Sequence, residues 1–251
     1  MDAAKPETPV RLVSWNVQGR AMDDPGAIVR RLDELEADIV CFQEIHRSQF
    51  AAVRAQSRLS NGDWWFKHWS VRYAAEGLAV ASRWPVVAQP GSVALSHKWR
   101  WLHYTRRIAG GVTVATTAGP LHVWNTHLSP DDASARRLAE IHQLLELLPT
   151  IRTVLAGDLN VRPGSHELEV LADAEWTDGH DIAHPGSVVA TNLTGDRQHL
   201  KQRLDYVLVS ADLVDRVVDA SVPGATEPVD TSWWALSDHL PLVVDLELPS
   251  A

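Results

Sequence analysis

Gly157-Asp158-Leu159-Asn160 follows the apolar run Thr153-Val154-Leu155-Ala156. If the chain is still extended there, alternation puts Asp158 and Asn160 on one side, so that a carboxylate and an amide address the same ligand. The carboxylate can take a proton from water, and the amide can orient that water or donate to a phosphoryl oxygen. Standing alone, Gly-Asp at a strand end followed by Asn is ordinary turn chemistry. Two further runs share the setting: Ser237-Asp238-His239 directly before the apolar stretch 240–246, and Asn125-Thr126-His127 at the end of another. Each alone reads as a capped turn with a satisfied histidine. Together they put acid, amide and imidazole groups at strand ends, where rigid elements hand side chains to a site.

Asp205 lies in the otherwise apolar Arg203-Leu204-Asp205-Tyr206-Val207 and needs a partner if it is buried. A histidine is the natural one, since a carboxylate fixes the imidazole tautomer and favours its charged form; a salt bridge to Arg203 on the same strand face is the structural alternative. Trp15-Asn16 and Gln43-Glu44 end the first two apolar runs and supply an amide and a carboxylate suited to a hard cation. His180 and His184, with Asp181 between them, could share a helical face at a spacing that suits zinc. Pro185 and Gly186 follow at once and no third ligand of matching spacing is evident, so an exposed loop is expected and the pair stays outside the site.

The elements that must hold these groups alternate in type. Short β-branched runs fall at 12–17, 39–42, 78–81, 112–115, 121–125, 154–156, 204–209 and 240–246, and between some of them Ile28, Leu32 and Leu35, and Leu138, Ile141, Leu145 and Leu148, recur at helical spacing. Strands expected at 110–118 and 121–127 are joined through Gly119-Pro120, too short a link for a parallel crossover, so antiparallel pairs are present. The stretch 179–202 reads as a surface excursion. Tryptophans cluster at Trp64, Trp65 and Trp69, at Trp99 and Trp101, and at Trp233 and Trp234; core filling accounts for most, and the last two pairs adjoin candidate site residues and could form a substrate platform.

The 251 residues suffice for one large α/β domain, and a single domain over 1–251 is expected, with 1–9 as a flexible tail. A net charge of −9 argues against a general polyanion binder, yet carboxylates gathered for a cation can make an enzyme acidic while a local basic strip meets phosphates. His97 to Arg107 interleaves cations with aromatics as such a strip would; an exposed hairpin of this kind also suits a membrane surface, and the plainest alternative is a strand whose tryptophans point inward. Cys41, the only cysteine, is expected as a buried strand thiol. With no apolar signal core and no stretch of bilayer-spanning length, a soluble cytoplasmic protein is expected.

The motifs Trp15-Asn16, Gln43-Glu44, Asn125-Thr126-His127, Gly157-Asp158-Leu159-Asn160, Arg203-Leu204-Asp205-Tyr206 and Ser237-Asp238-His239 occur in the order of the endonuclease/exonuclease/phosphatase superfamily, and the chain resembles that superfamily over most of its length. The resemblance implies an α/β (α+β) four-layer sandwich of two mixed, largely antiparallel β-sheets packed face to face and flanked by helices. It implies metal-dependent phosphoester hydrolysis with Mg²⁺, or Mn²⁺, held mainly by Glu44, with Asn16 beside it and Asp238 near a second or shifted position. Asp158 would activate water, Asn160 orient it, and His239, held by Asp205, polarise the phosphoryl group. His127 would face the leaving side as general acid or phosphate donor, oriented by Glu76, and Arg106 or Arg107 would meet phosphate. His127 is similar to the deoxyribonuclease, sphingomyelinase and phosphatase branches rather than the apurinic one. The expected substrate is a phosphoester, with nuclease-type phosphodiester hydrolysis first, a phosphatase or lipid phosphodiesterase as alternative, and a non-catalytic binding module disfavoured because Glu44, Asp158 and His239 are all present. A monomer is expected.

Overall fold

The computed structural model describes residues 7–19, 24–70, 76–100, 103–130, 134–196, 198–226 and 228–249. One sheet is built from β1 (Glu7–Asn16), β2 (Ile39–His46), β3 (Asn61–Ser70), β4 (Glu76–Ser82) and two later strands. The other takes β5 (Val86–Arg100), β6 (His103–Thr116), β7 (Gly119–His127), β8 (Thr153–Asp158), β9 (Trp176–Asp178) and a strand further on. β10 (Asn192–Leu193) and β11 (Leu200–Gln202) form a separate ribbon, β12 (Asp205–Ser210) joins the second sheet, and β13 (Val217–Ser221) and β14 (Leu242–Pro249) complete the first. The orders are β13-β14-β1-β2-β4-β3 and β5-β6-β7-β8-β12-β9, two six-stranded mixed sheets whose hydrogen bonding is continuous only where His68–Ser70 meets His103–Thr105. β1 runs parallel to β2 and β7 parallel to β8; the other pairings are antiparallel.

Strand alternation assigns each side chain to a layer. Leu12, Ile39, Cys41, Val80, Val123, Val154, Val207 and Val244 point between the sheets. Val13, Trp15, Val40 and Phe42 point outward against Ile28 and Leu32 of α1 (Pro25–Glu34) and Phe50 and Val53 of α2 (Arg47–Gln56). Trp124, Leu155, Tyr206 and Leu208 face Ile141 and Leu144 of α3 (Ser134–Leu147) and Leu171 of α4 (His166–Asp173). Central strands buried on both faces explain why their sequences read as continuous apolar runs rather than as alternating ones. This is the four-layer sandwich that was expected. Two short helices follow, α5 (Gly179–Ala183) and α6 (Thr231–Trp234). Among the described residues no helix is long and apolar enough to cross a membrane.

Several local expectations change. β1 begins at Glu7 and pairs through Pro9 with Pro249–Glu247, so 7–9 belong to the sheet and not to a tail, because β14 runs far enough to give them backbone partners; residues 1–6 of that tail lie outside the described residues. Gly119 and Pro120 are already in β7, opposite Thr116 and Ala115, and the hairpin turn is Thr117-Ala118. The buried face of α3 uses Leu144 rather than Leu145. The 179–202 stretch is partly interior: Gly179, His180 and Thr191 are buried, and the Thr191 hydroxyl accepts hydrogen bonds from the backbone N–H groups of Leu204 and Asp205 at 3.1 Å each.

Candidate active site

Parallel strands end at the same edge, and antiparallel neighbours begin there. Register therefore collects the chemistry. Asn16 lies opposite Gln43 at the ends of β1 and β2, His127 opposite Asp158 at the ends of β7 and β8, and Asp158 opposite Asp205 at the start of β12. His239 enters just before β14, which pairs with β1. Beneath this edge two motif amides tie the sheets together. Gln43 Nε2 donates to Asn125 Oδ1 at 2.9 Å, and Asn125 Nδ2 donates to the carbonyls of Phe42 and Ala79. Local backbone irregularity then aims the side chains. A register shift between Phe42 and Ile45 leaves Glu44 at φ 57°, and Asn160 has φ 54°. Left-handed conformations at non-glycine residues cost energy and persist where the surroundings enforce them. Gly157 permits the approach of β8 to β7, since a Cβ there would run into the Thr126 carbonyl oxygen.

Asp158, buried at 2 % exposure, is the hub. Its Oδ2 accepts from Asn16 Nδ2 at 3.1 Å and its Oδ1 from the Asn160 backbone N–H at 3.0 Å. Asn160 thus reaches Asp158 through a turn beyond β8 and not through strand alternation, and its side-chain amide donates to the Leu128 carbonyl at 3.1 Å. His239 Nδ1 lies 2.8 Å from Asp205 Oδ2, and its Nε2 lies 3.9 Å from Asp158 Oδ2 and 3.1 Å from the Asn192 amide. Ser237 Oγ fixes the loop by donating to the Asn16 carbonyl and accepting the His239 N–H. Asp238 is half-buried and accepts from Gln18 Nε2 at 3.1 Å. His127 sits between carboxylates, Nε2 3.5 Å from Asp158 Oδ2 and Nδ1 3.9 Å from Glu44 Oε1.

Burial raises the Asp158 carboxyl to about 6, opposed by the His239 charge and the Asn16 hydrogen bond. Burial also works against a charged His239, but the ion pair and hydrogen bond with Asp205, with Asp158 and Asp238 behind them, push it up to about 10. His127 goes the other way, held well below its ordinary value by burial and by the cations of Lys67, Arg107 and His239. The two buried imidazoles are thus shifted in opposite directions, a division that suits different tasks for the two histidines.

The remaining sequence candidates separate. Arg106 donates from Nε and Nη2 to the Phe66 carbonyl and stacks on the Phe66 ring, so its fork is used within the fold. Arg107, on the other side of β6, faces the fields of Glu140, Asp158 and Glu44, and burial lowers its pKa. Glu76 is buried at the start of β4, and its charge acts on Lys67. Arg203 does not pair with Asp205; buried beside α5, it pairs with Asp178 and with Asp181 and covers the Tyr206 ring. His180, expected on an exposed loop, is 3 % exposed with Nδ1 2.9 Å from Arg203 Nη1, while His184 Nε2 meets the Ala220 carbonyl. Trp233 packs edge-on against Trp15 at 6.0 Å and is core, not a platform. Trp101 lies outside the described residues, as do the side chains of Trp99 and Trp234. Sequence reasoning missed Lys67, whose Nζ is 2.6 Å from His127 Nδ1, and Asn192 beside His239. The only sequence signal for Lys67 was a cation inside an aromatic run; Asn192 gave none beyond its type.

Two donor sets could hold a cation. Ligand atoms of Asp158, Asp205 and His239 lie within 4.8 Å of one another, and Asp205 Oδ1 is a buried acceptor with no hydrogen-bond partner among the described residues. The second candidate set is Glu44, Asn16 and Asp158: the two carboxylates flank His127, the Asn16 amide nitrogen is bound to Asp158, and Asn16 Oδ1 accepts the Gln18 N–H at 3.1 Å.

Solved structures of other proteins share this fold. The chain superposes on an endonuclease/exonuclease/phosphatase from Beutenbergia cavernae with a TM-score of 0.77 at 21% identity, covering 96% of this chain and 72% of that one. An AP endonuclease from Archaeoglobus fulgidus gives 0.67 at 19% identity, covering 94% and 98%. A mannosyl-6-phosphatase from Bacteroides thetaiotaomicron gives 0.68 at 17%, also covering 94% and 98%. A search of the curated proteins finds no match. The sequence pattern of the Endonuclease/Exonuclease/phosphatase family matches residues 13–239, from the strand that carries Asn16 to His239 itself, and the chain belongs to that family, whose members are mostly hydrolytic phosphoesterases.

Proposed function

We propose that the chain is a divalent-cation-dependent phosphodiesterase of nuclease type, in which water is activated at Asp158 with His127 and His239 assisting. The observation that carries this reading is the meeting at one sandwich edge of buried Asp158, of His239 with Nδ1 2.8 Å from Asp205 Oδ2, and of buried His127 with Nε2 3.5 Å from Asp158 Oδ2. Phosphodiester hydrolysis needs a positioned water, charge stabilisation on the phosphoryl oxygens and a donor at the leaving oxygen. Asp158 holds and deprotonates the water, and Asn160 fixes the Asp158 carboxylate through its backbone N–H. His239 donates to a phosphoryl oxygen, with Asp205 holding its ring, and His127 Nε2 serves the leaving side. Arg107 adds a guanidinium to the phosphate.

Mg²⁺, or Mn²⁺, fits the oxygen donors of Glu44, Asn16 and Asp158, with Asp238 at a second position, since hard cations select carboxylate and amide oxygens. The Asp158-Asp205-His239 cluster fits less well, because His239 Nδ1 already meets Asp205 Oδ2 at 2.8 Å and hard cations favour oxygen over imidazole nitrogen. Bound there, the cation would neutralise charge on the phosphoryl oxygens.

The test is turnover of plasmid DNA, RNA, bis-p-nitrophenyl phosphate, sphingomyelin and inositol phosphates with Mg²⁺, Mn²⁺ and Ca²⁺. Cation-dependent cleavage of the diesters, abolished by chelation, is the expected result. Release of inorganic phosphate from monoesters alone would make the chain a phosphatase, and no turnover of any substrate with any cation would overturn the catalytic reading.

The two arginines give a second check. Arg107→Ala is expected to raise KM for the diester by about 10-fold or more, the scale of one charge-assisted hydrogen bond. Arg106→Ala should leave KM unchanged and lower stability by about 1 kcal/mol. Equal effects of the two on KM would show that the assignment of their faces is wrong.

A further inference from the structure

Lys67 is 3 % exposed, and a buried ammonium is costly unless its surroundings hold it. Burial and the Arg107 charge lower its pKa to about 8, while Glu44, Glu76 and Asp158 supply opposing charge that favours the ammonium, and Nζ comes within 2.6 Å of His127 Nδ1. The contact crosses the sandwich, from β3 in one sheet to the end of β7 in the other. Phe66 pairs with Gly77 and His68 with Glu76, so that β3 spends one residue more than β4 over this step, and the extra residue is Lys67. Bulges of this kind recur beside active sites.

An ammonium has only hydrogens to give, so the nitrogen facing it must accept. We propose that Lys67 is a positioning residue for His127: it donates to Nδ1 and so holds the imidazole as the tautomer whose hydrogen is on Nε2, aimed at Asp158 and the phosphoryl position. A carboxylate at Nδ1, the place expected for Glu76, would do the reverse by drawing the hydrogen to Nδ1 and leaving Nε2 to accept or to carry a second proton. With Lys67 there, Nε2 enters the reaction as a donor, 3.5 Å from the Asp158 oxygen beside which the water would sit. The consequence for catalysis rests on the phosphodiesterase reading; the tautomer does not.

The experiment is long-range ¹H–¹⁵N histidine spectroscopy on the full chain without substrate, with the His127 signals assigned from His127→Gln. The wild-type protein should show His127 protonated at Nε2 alone. Lys67→Met should lose that pattern and lower kcat by about 10- to 100-fold, the scale of a lost outer partner of a site residue, with KM nearly unchanged. Lys67→Arg, which keeps a donor at Nδ1, should restore the tautomer and most of kcat. A hydrogen on Nδ1 in the wild-type protein overturns the proposal without reference to any variant, as does a Lys67→Met protein that keeps both the Nε2–H pattern and kcat. If the tautomer behaves as expected and no phosphoester is hydrolysed, the positioning stands and the reading of the site as a phosphodiesterase fails.

Discussion

Asp158→Asn is expected to lower kcat on bis-p-nitrophenyl phosphate by about 10²- to 10⁴-fold, the range for removal of a general base, while leaving the protein folded. The substitution keeps shape and volume, and its amide oxygen can still accept the Asn160 N–H while its NH₂ replaces the oxygen that accepted from Asn16. What it removes is proton affinity. Burial raises the Asp158 carboxyl to about 6, so near pH 7 the group is mostly charged yet a better base than an exposed aspartate. Stability should change little, because the lost hydrogen bond to Asn16, worth about 1 kcal/mol, is offset by no longer burying a carboxylate. The measurement is kcat with the cation saturating, alongside a thermal melt. A variant that is folded and within 10-fold of wild type would mean that the water is activated elsewhere, with His127 the next group to test.

Much of this site was legible because it is built from strand ends, and strand ends announce themselves when an apolar run stops at a polar group. Asn16, Glu44, His127 and Asp158 were read that way, Asp205 as a polar residue within an apolar run and His239 as one just before such a run, and register brings Asn16, His127, Asp158 and Asp205 to one edge. The cost of an unpartnered buried carboxylate called for a partner to Asp205, with a histidine first and Arg203 as the alternative; that the histidine would be His239 came from the resemblance. What was not legible depends on contacts that no local pattern encodes. Arg106 and Arg107 are adjacent and chemically identical, and only the position of Phe66 on the neighbouring strand decides which guanidinium is left for the site. Trp233 looked available because it adjoins Ser237-Asp238-His239, but Trp15 and Arg31 enclose it. His180 looked exposed because Pro185 and Gly186 follow, whereas buried Arg203 draws its short helix onto the fold. Lys67 is the sharpest case. Alternation along Trp64-Trp65-Phe66-Lys67-His68 puts Lys67 on the inner face with Trp65, but no local pattern says that the other sheet brings His127 Nδ1 to its ammonium.

Trp15→Ala should cost about 3–5 kcal/mol of stability, the range for deleting a large core aromatic, and lower Tm by roughly 6–20 °C in a domain of this size. Trp15 is fully buried at the end of β1, with the Trp233 ring packed on it at 6.0 Å and the Arg31 guanidinium 4.6 Å over that second ring. Deleting it therefore opens a cavity that α1 and the segment around Trp233 must collapse into, and those elements are held by the strands on which they pack. The indole also has a polar duty, since Nε1 donates to the His239 carbonyl at 3.1 Å. That bond and the two made by Ser237 Oγ fix the backbone that presents His239 to Asp205, so turnover should fall together with stability. Trp15→Phe separates the two contributions. It keeps much of the packing and loses the N–H, so stability should fall less than in Trp15→Ala, while the His239 carbonyl is left without its donor in both. Chemical denaturation and kcat measured on the pair decide the matter: if Trp15→Ala lies within about 1 kcal/mol of wild type, the far side of the first sheet is not the rigid support on which Asn16 and His239 depend.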